Sequence, residues 1–296
     1  EGDRLGKYLI VNADDFGLCK SANDAVIDLF LDGKLLSSTI MFPAPGHEQA
    51  ARFAAEHPEY AIGVHLTLTS EWPTYRWKPL TDGKSLVDKD GYMWPKTEDV
   101  EKNATYEDLE KEIRAQIDYA LSFGFTPSHI DNHMGTLYGN RTGRFGLLKM
   151  ILRILGELGY SYRLYTKVDK SMVPRGTPYP VYKISSLFTS HWAKKFKVIL
   201  PDYLLFPDWT RELREGTYEQ YRDLILKLWT NIPDGVTETF VHPAFATDEM
   251  KSITGSWRDR QWEYDLLKDP DTHKYLKDHG VTMINYRDLI QMKKGR

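Results

Sequence analysis

The sequence predicts an α/β protein folded as a (β/α) barrel. Short apolar strands alternate with amphipathic helices, the order of elements that a parallel sheet requires. Three strand–helix steps fit into the first 70 residues or so, and the whole chain has 296 residues, a length that one barrel often uses. Because no clean linker or internal repeat divides the chain, we predict a single barrel domain over residues 1–296, irregular and with seven or eight strands.

The chain begins with a predicted strand and a predicted helix. Apolar residues lead into a pair of aspartates at 9–15, which predicts a strand. A helix follows at 21–31, because Ser21 suits the N-cap position and Ala25, Val26 and Leu29 share one face. Gly33 then ends this helix.

The same alternation continues to the end of the chain, with two interruptions. Segments at about 71–103 and 167–216 are irregular and rich in aromatic residues, so we predict two loop insertions, the first a long loop or lid. The other strands are predicted at 37–42, 61–68, 128–132, 160–165, 236–241 and 281–285. The other helices are predicted at 48–56, 106–122, 145–158, 218–229, 257–267 and 286–292.

Composition excludes several classes of protein. Lys and Arg total 39 against 42 Asp and Glu, and no long basic run is present, so we expect neither nucleic acid nor a membrane as partner. No apolar stretch approaches the ~20 residues of a membrane helix. Cys19 is the single cysteine, so a metal site in this chain must use His and carboxylate ligands. The first methionine is Met41, and we expect a soluble protein, either cytoplasmic or exported after loss of a targeting segment.

Candidate catalytic residues lie where predicted strands end. Asp14 and Asp15 close the first strand, and both can reach one site only if the chain bends there, which Gly17 permits. One aspartate could bind a metal while the other acts as a base; alternatively, one caps the next helix and the other is solvated. In the third strand, alternation places His65 opposite an apolar face, so it points into the barrel.

Further histidines follow the same rule. Alternate positions put His129, Asp131 and His133 on one face of a strand, and Asp131 suits a role as hydrogen-bond partner of a metal-bound imidazole. His242 ends another strand, because Pro243 cannot continue the ladder. The carboxyl ends of barrel strands converge, and two His with one Asp form the open three-ligand site of a catalytic metal. Hydrolysis is the chemistry this arrangement favours.

Four motifs resemble the YdjC-type carbohydrate deacetylases, a family that includes chitooligosaccharide and hopanoid-associated sugar deacetylases. They are Asn12-Ala13-Asp14-Asp15-Phe16-Gly17, Gly63-Val64-His65-Leu66, His129-Ile130-Asp131-Asn132-His133 and His242-Pro243. The resemblance runs from about residue 9 to about residue 289. It implies a barrel related to polysaccharide deacetylases and glycoside hydrolase barrels, and it favours a homodimer.

The resemblance also implies an activity: metal-dependent removal of acetyl groups from N-acetylated mono- or oligosaccharides. Asp15, His65 and His133 would hold one divalent ion, Zn or Mg first, with Co, Ni and Mn as further candidates. Asp14 would be the general base and His242 the acid. His129, Asp131 and Arg163 would support these groups or contact the substrate, although Arg163 could equally be an exposed strand-end charge.

Two other functions remain open at this point. A barrel without catalysis could merely bind sugar, and a metal-dependent phosphoesterase could use the same ligands. Aromatic residues of the two insertions could stack on sugar rings, and some of them must simply cover the barrel. The candidates for such stacking are Trp72, Trp77, Trp94 and Trp209.

Overall fold

A computed structural model describes residues 6–173, 178–206 and 215–295. In these residues seven strands form a single sheet, with helices around it. The strands are β1 (Lys7–Phe16), β2 (Ser37–Ile40), β3 (Ala61–Leu66), β4 (Ile130–Asn132), β5 (Tyr203–Leu204), β6 (Gly235–Val241) and β7 (Val281–Met283).

The helices lie mostly between successive strands. They are α1 (Lys20–Leu31), α2 (His47–Glu56), α3 (Thr97–Asn103), α4 (Tyr106–Ser122), α5 (Gly146–Leu158), α6 (Tyr179–Phe196), α7 (Tyr218–Thr230), α8 (Asp248–Ile253), α9 (Trp257–Lys268), α10 (Pro270–Asp278) and α11 (Tyr286–Lys294). None of these described helices is both long and apolar enough to cross a membrane.

Every strand pair in the sheet is parallel, and the sheet is curled, with β1 near its middle. Its strand order is β4-β3-β2-β1-β6-β5, and β7 pairs with the start of β1. The prediction of a curled, barrel-like parallel sheet with surrounding helices is therefore confirmed. Because all strands run in one direction, their carboxyl ends meet at one mouth, where the candidate site residues lie.

Strand β3 shows how the two faces of the sheet differ. Ile62, Val64 and Leu66 belong to the main hydrophobic core, while His65 faces polar groups on the inner side. Gly63 also faces inward, and β4 approaches it closely: a Cβ atom at this position would lie 2.2 Å from the carbonyl oxygen of His129. Only glycine can occupy position 63 without displacing a strand.

We expect Gly63→Ala to lower the free energy of unfolding by about 3 kcal/mol, because the new methyl group must push β3 and β4 apart. Urea denaturation would measure the change. Gly255→Ala is the matched control, since a Cβ atom there meets no atom within 4 Å. The two variants unfolding at the same urea concentration would contradict the close approach of β3 to His129.

The prediction of a strand at 160–165 is wrong. This segment makes only an isolated parallel bridge, between Tyr162 and Ile130. On its other side, the Tyr162 amide donates to the carbonyl oxygen of Ile199, which lies in a loop. The segment does not form a regular strand, because its neighbour on the Ile199 side is a loop and not a strand. Its few hydrogen bonds still fill part of the gap between β4 and β5.

The segment predicted to be irregular at 167–216 contains regular structure within its described residues. Helix α6 spans 18 residues, and β5 follows it. Periodicity does not reveal α6 because four of its large apolar side chains point to solvent, which blurs the apolar stripe. They are Val181, Ile184, Leu187 and Phe188. Helices α8 and α10 were also not predicted.

The segment predicted as a loop at 71–103 is mostly irregular and ends in α3. It packs over the carboxyl ends of the strands through a second hydrophobic cluster, in which Trp77 is buried beside Leu18 and Met93. The Trp77 indole also donates a hydrogen bond to the Thr69 carbonyl oxygen, at 2.9 Å. This segment therefore forms one wall of the mouth.

Candidate metal centre and active site

The end of β1 carries two adjacent carboxylates into one site. Asp15 has a φ of 61°, a left-handed conformation that Asp adopts more readily than most residues, and Gly17 has a φ of 91°. The pairing of β1 with β2 shifts register between Ala13 and Phe16 at the same place. The predicted bend at Gly17 is thus present, but it begins two residues earlier, at Asp15 itself.

Asp15, His65 and His133 come together at the mouth of the sheet. One possible ligand atom from each lies within 4.8 Å of the others, and all three residues are buried. They come from three separate stretches of chain: the end of β1, the end of β3, and the short turn His133–Gly135 that follows β4. The structure therefore assembles the three residues that the sequence predicts as a metal site.

The two carboxylate oxygens of Asp15 differ in their hydrogen bonding. Its Oδ2 accepts a hydrogen bond from Arg260 at 2.7 Å, whereas buried Oδ1 has no hydrogen-bond partner among the described residues. Burial opposes ionisation, but Arg260 and the imidazoles of His133 and His65 outweigh it and hold the pKa of Asp15 well below its usual range. Asp15 Oδ1 thus faces the rings of His65 and His133 without accepting a hydrogen bond, and a cation shared by the three residues would satisfy it.

His65 is oriented by a carboxylate behind it. Its Nδ1 lies 2.6 Å from Asp131 Oδ1, and Nε2 faces Asp15 Oδ1 at 3.5 Å. Burial favours the neutral ring, but the charges of Asp131 and Asp14 prevail and raise the pKa of His65 to about 9. The contact with Asp131 leaves Nε2 as the nitrogen that could bind a metal.

His133 has a similar arrangement with a different partner. Its Nε2 lies 3.0 and 3.1 Å from the two carboxylate oxygens of Glu71, and its Nδ1 lies 3.3 Å from Asp15 Oδ1. Against the effect of burial, Glu71 and Asp15 raise the pKa of His133 to about 10. A metal bound at this group would displace protons from both imidazoles, as metal binding to histidine generally does.

A second group, Asp14, His65 and Asp131, also has ligand atoms within 4.8 Å of one another. Its carboxylates already have a cationic partner: Arg163 binds both oxygens of Asp14, at 2.6 and 2.7 Å, and Asp131 Oδ2 at 2.8 Å. Of the two groups, the one containing Asp15 therefore fits a divalent cation better, because it alone leaves a carboxylate oxygen unsatisfied.

Arg163 is the centre of a buried ionic network. Besides Asp14 and Asp131, it donates from Nε to Glu238 at 2.7 Å, and Glu238 also accepts a hydrogen bond from Tyr286. Burial raises the pKa of Glu238 to about 7, although Arg163 opposes the rise. The idea that Arg163 is an exposed strand-end charge is wrong, because only 3% of the residue is exposed.

His129 is fully buried and lies outside the cation group. Its Nε2 donates to the Asn12 amide oxygen at 3.1 Å, and its ring stacks on Tyr286 with centroids 3.7 Å apart. Burial lowers the pKa of His129 to about 3, so this ring is neutral. His129 therefore supports the floor of the site through Asn12, which in turn donates to Asp14.

His242 follows β6, as predicted, but stands apart from the cation group. Its backbone amide donates to Glu263 at 2.6 Å, and its ring meets Phe240 edge-on, with centroids 5.8 Å apart. Within the described residues, no hydrogen bond or ion pair joins its side chain to Asp14, Asp15, His65 or His133. The Arg163 guanidinium carbon lies 4.8 Å from the centre of the Phe240 ring, so the Phe240 ring contacts both His242 and Arg163.

Local sequence patterns did not reveal three charged residues of the site: Glu71, Glu238 and Arg260. Arg260 and Asp15 are 245 positions apart, a separation that no local pattern bridges. One signal was present in α9, whose buried face begins with charged residues before it reaches Leu266 and Leu267. Charges in the place of an apolar stripe indicate a helix that faces a polar site.

The predicted aromatic residues have different positions. Trp72 lies near the cation group, with its ring centroid 6.5 Å from that of His133, and is only half-buried. Trp77 is buried, and Trp94 packs against the main core, so both cover the barrel. Trp209 lies outside the described residues. Of the three described tryptophans, Trp72 is therefore the best placed to meet a ligand.

Comparison with known proteins identifies the family. The family model described as YdjC-like protein matches residues 8–278. The chain belongs to the YdjC-like family. A carbohydrate deacetylase of Thermus thermophilus is 31% identical over 295 residues, covering 97% of this chain and 98% of the relative. A carbohydrate deacetylase of Geobacillus stearothermophilus is 29% identical, covering 97% of this chain and all of the relative.

A solved structure of similar shape agrees with this membership. It is that of an Enterococcus faecalis V583 protein with a suggested role in cellobiose-phosphate cleavage. It matches this YdjC-like chain with a TM-score of 0.74 and 25% identity, covering 96% of this chain and 99% of the other. The YdjC-like chain and these relatives therefore match over nearly their whole lengths.

Proposed function

We propose that this YdjC-like protein is a metal-dependent hydrolase that removes acetyl groups from N-acetylated mono- or oligosaccharides. The observation that carries the proposal is the buried group of Asp15, His65 and His133, with the unsatisfied Asp15 Oδ1 at its centre. The matched relatives named carbohydrate deacetylase support the sugar substrate. We also propose that residues 1–296 act as one barrel domain.

Asp15, His65 and His133 would hold one divalent ion, Zn or Mg first and Co, Ni or Mn as further candidates, because two imidazoles and a carboxylate suit several of these metals. When bound, the ion would supply Lewis acidity, which lowers the pKa of water and polarises a carbonyl group. Three ligands leave positions open for water and substrate, as in catalytic rather than structural sites. Asp131 and Glu71 would fix the rings of His65 and His133.

Asp14 would accept a proton from the attacking water. Its carboxylate is held by both terminal nitrogens of Arg163 and by the Asn12 amide, at 2.6–2.9 Å, so it cannot rotate away. Asp14 Oδ2 lies 3.9 Å from His65 Nε2, so this carboxylate is close enough to the cation group to act as the proposed base. A positioned carboxylate of this kind typically contributes 10²–10⁴-fold to a proton transfer.

His242 would donate a proton to the leaving amine. Water oxygen bonds to the acetyl carbon, the carbon–nitrogen bond breaks, and the nitrogen takes a proton, which gives acetate and a free amino sugar. Glu263 Oε2 lies 3.8 Å from His242 Nδ1, so this carboxylate would help to orient the ring. Phe240 would link the two groups, because its ring contacts both His242 and Arg163, the residue that holds Asp14.

The alternatives have weaker support. A barrel that merely binds sugar does not require a carboxylate clamped beside the cation group, as Asp14 is. A phosphoesterase with two metals would require a second ligand set, and the only other candidate group found among the described residues is already neutralised by Arg163.

The test is acetate release from N-acetylglucosamine oligomers and related amides. Protein treated with a chelator should lose this activity and regain it when one equivalent of Zn, Mg, Co or Ni is restored, while circular dichroism shows the fold intact. The same metals added to untreated protein are the control for nonspecific activation. Full activity after complete metal removal would overturn the proposal.

A further inference from the structure

Arg260 is a buried cation with an unused donor. Only 8% of Arg260 is exposed, and its Nη2 donates a hydrogen bond to Asp15 Oδ2 at 2.7 Å. Its other terminal nitrogen, Nη1, is buried and has no hydrogen-bond partner among the described residues. A guanidinium is planar and rigid, so the contact through Nη2 also fixes the direction in which Nη1 points.

The surroundings hold this guanidinium in place. Three carboxylates, those of Asp15, Glu263 and Glu71, interact with its charge. The guanidinium carbon lies 5.9 Å from the centre of the Trp72 ring. The backbone is anchored as well, since the Arg260 carbonyl oxygen accepts from the Ala244 amide at 3.2 Å, just beyond His242.

A buried donor without an acceptor destabilises the protein, so a ligand that supplies an acceptor would bind favourably there. Asp15 and Arg260 each have one buried polar atom without a hydrogen-bond partner among the described residues: the acceptor Oδ1 of Asp15 and the donor Nη1 of Arg260. The Asp15 oxygen suits a cation, whereas an N–H group cannot face one and needs an acceptor. In the reaction proposed above, the acceptor that must lie next to the cation is the acyl oxygen of the acetamido group.

We propose that Arg260 binds the acyl oxygen of the substrate through Nη1 while Nη2 holds Asp15. Arg260 is then a catalytic residue, because the oxygen gains negative charge as water adds to the carbonyl carbon. A donor fixed toward that oxygen stabilises the charge, and losing one such donor typically costs about 10²–10³-fold in kcat. The same nitrogen would bind a carboxylate oxygen of the product acetate. This inference rests on the proposed function.

The test compares Arg260→Lys with the wild type. Lysine keeps a positive charge beside Asp15 but lacks the second arm that carries Nη1. We expect Arg260→Lys to retain one metal per chain, to bind acetate at least tenfold more weakly by calorimetry, and to lose about 100-fold in kcat with a much smaller change in KM. Arg258→Lys on the same helix should retain wild-type values and controls for changes in α9.

The outcomes separate this inference from the proposed function. Wild-type affinity for acetate in Arg260→Lys, or loss of its metal, would overturn the role of Nη1. If the wild type releases no acetate from any N-acetylated sugar but Arg260→Lys still weakens acetate binding, the proposed function fails and the acceptor site stands. Crystals of metal-loaded wild type soaked in acetate test the contact without any variant: an acetate oxygen beyond hydrogen-bond distance of Nη1 overturns it.

Discussion

Asp15→Asn should abolish the divalent-ion binding that we propose, whereas Asp14→Asn, one residue away, should preserve ion binding and lose catalysis. The two carboxylates are adjacent in sequence and both are buried, yet their partners differ. Asp15 keeps one oxygen free for a cation, while Arg163 binds both oxygens of Asp14. The pair of variants therefore separates metal binding from proton transfer.

The expected magnitudes follow from these partners. Loss of a group that merely orients a metal ligand costs 10–100-fold in metal affinity, so loss of the Asp15 ligand should cost about 100-fold or more. Asp14→Asn should lower kcat by about 10²–10⁴-fold, because an amide cannot accept the proton. The measurements are metal content after dialysis and acetate release. Equal metal content in the two variants, or full activity in Asp14→Asn, would contradict the assignment.

Arg163→Met should destabilise the protein by about 3–5 kcal/mol, since it leaves Asp14, Asp131 and Glu238 buried without their shared cation. We also expect a loss of activity, because Asp14 is no longer held beside the cation group. Urea denaturation and acetate release measure the two effects.

The matched control for this prediction is Arg153→Met. Arg153 also contacts two carboxylates, those of Glu110 and Glu157, but on the surface of the protein. Ion pairs exposed to solvent contribute roughly 0–1 kcal/mol, so this variant should remain close to the wild type. Similar losses of stability in the two variants would show that the buried Arg163 network contributes no more to the free energy of unfolding than a surface ion pair.

The sequence alone predicted which residues lie at the carboxyl ends of several strands. Strands β1 and β3 are long enough for their patterns to show, and the alternation of His129, Asp131 and His133 indicated the short strand β4. Because parallel strands bring their carboxyl ends to one mouth, Asp15, His65 and His133 could be predicted to lie together although they come from distant segments.

The partners of these residues could not be predicted in the same way. Arg260 and Glu238 meet the site through tertiary contacts, and each looks like an ordinary charged residue in its local context. Helix α6 was missed for a different reason: apolar side chains such as Leu187 and Phe188 are exposed, so the apolar residues do not follow a helical period. The segment at 160–165 has strand-like residues, but a strand also depends on a regular neighbour, which local sequence does not specify.

Anomalous diffraction from crystals grown with zinc tests the metal site most directly. We predict one strong peak within about 2.0–2.3 Å of Asp15 Oδ1 and of one nitrogen each of His65 and His133, with Arg163 still bound to Asp14. A peak between Asp14 and Asp131, or zinc bound only elsewhere on the protein, would contradict the account.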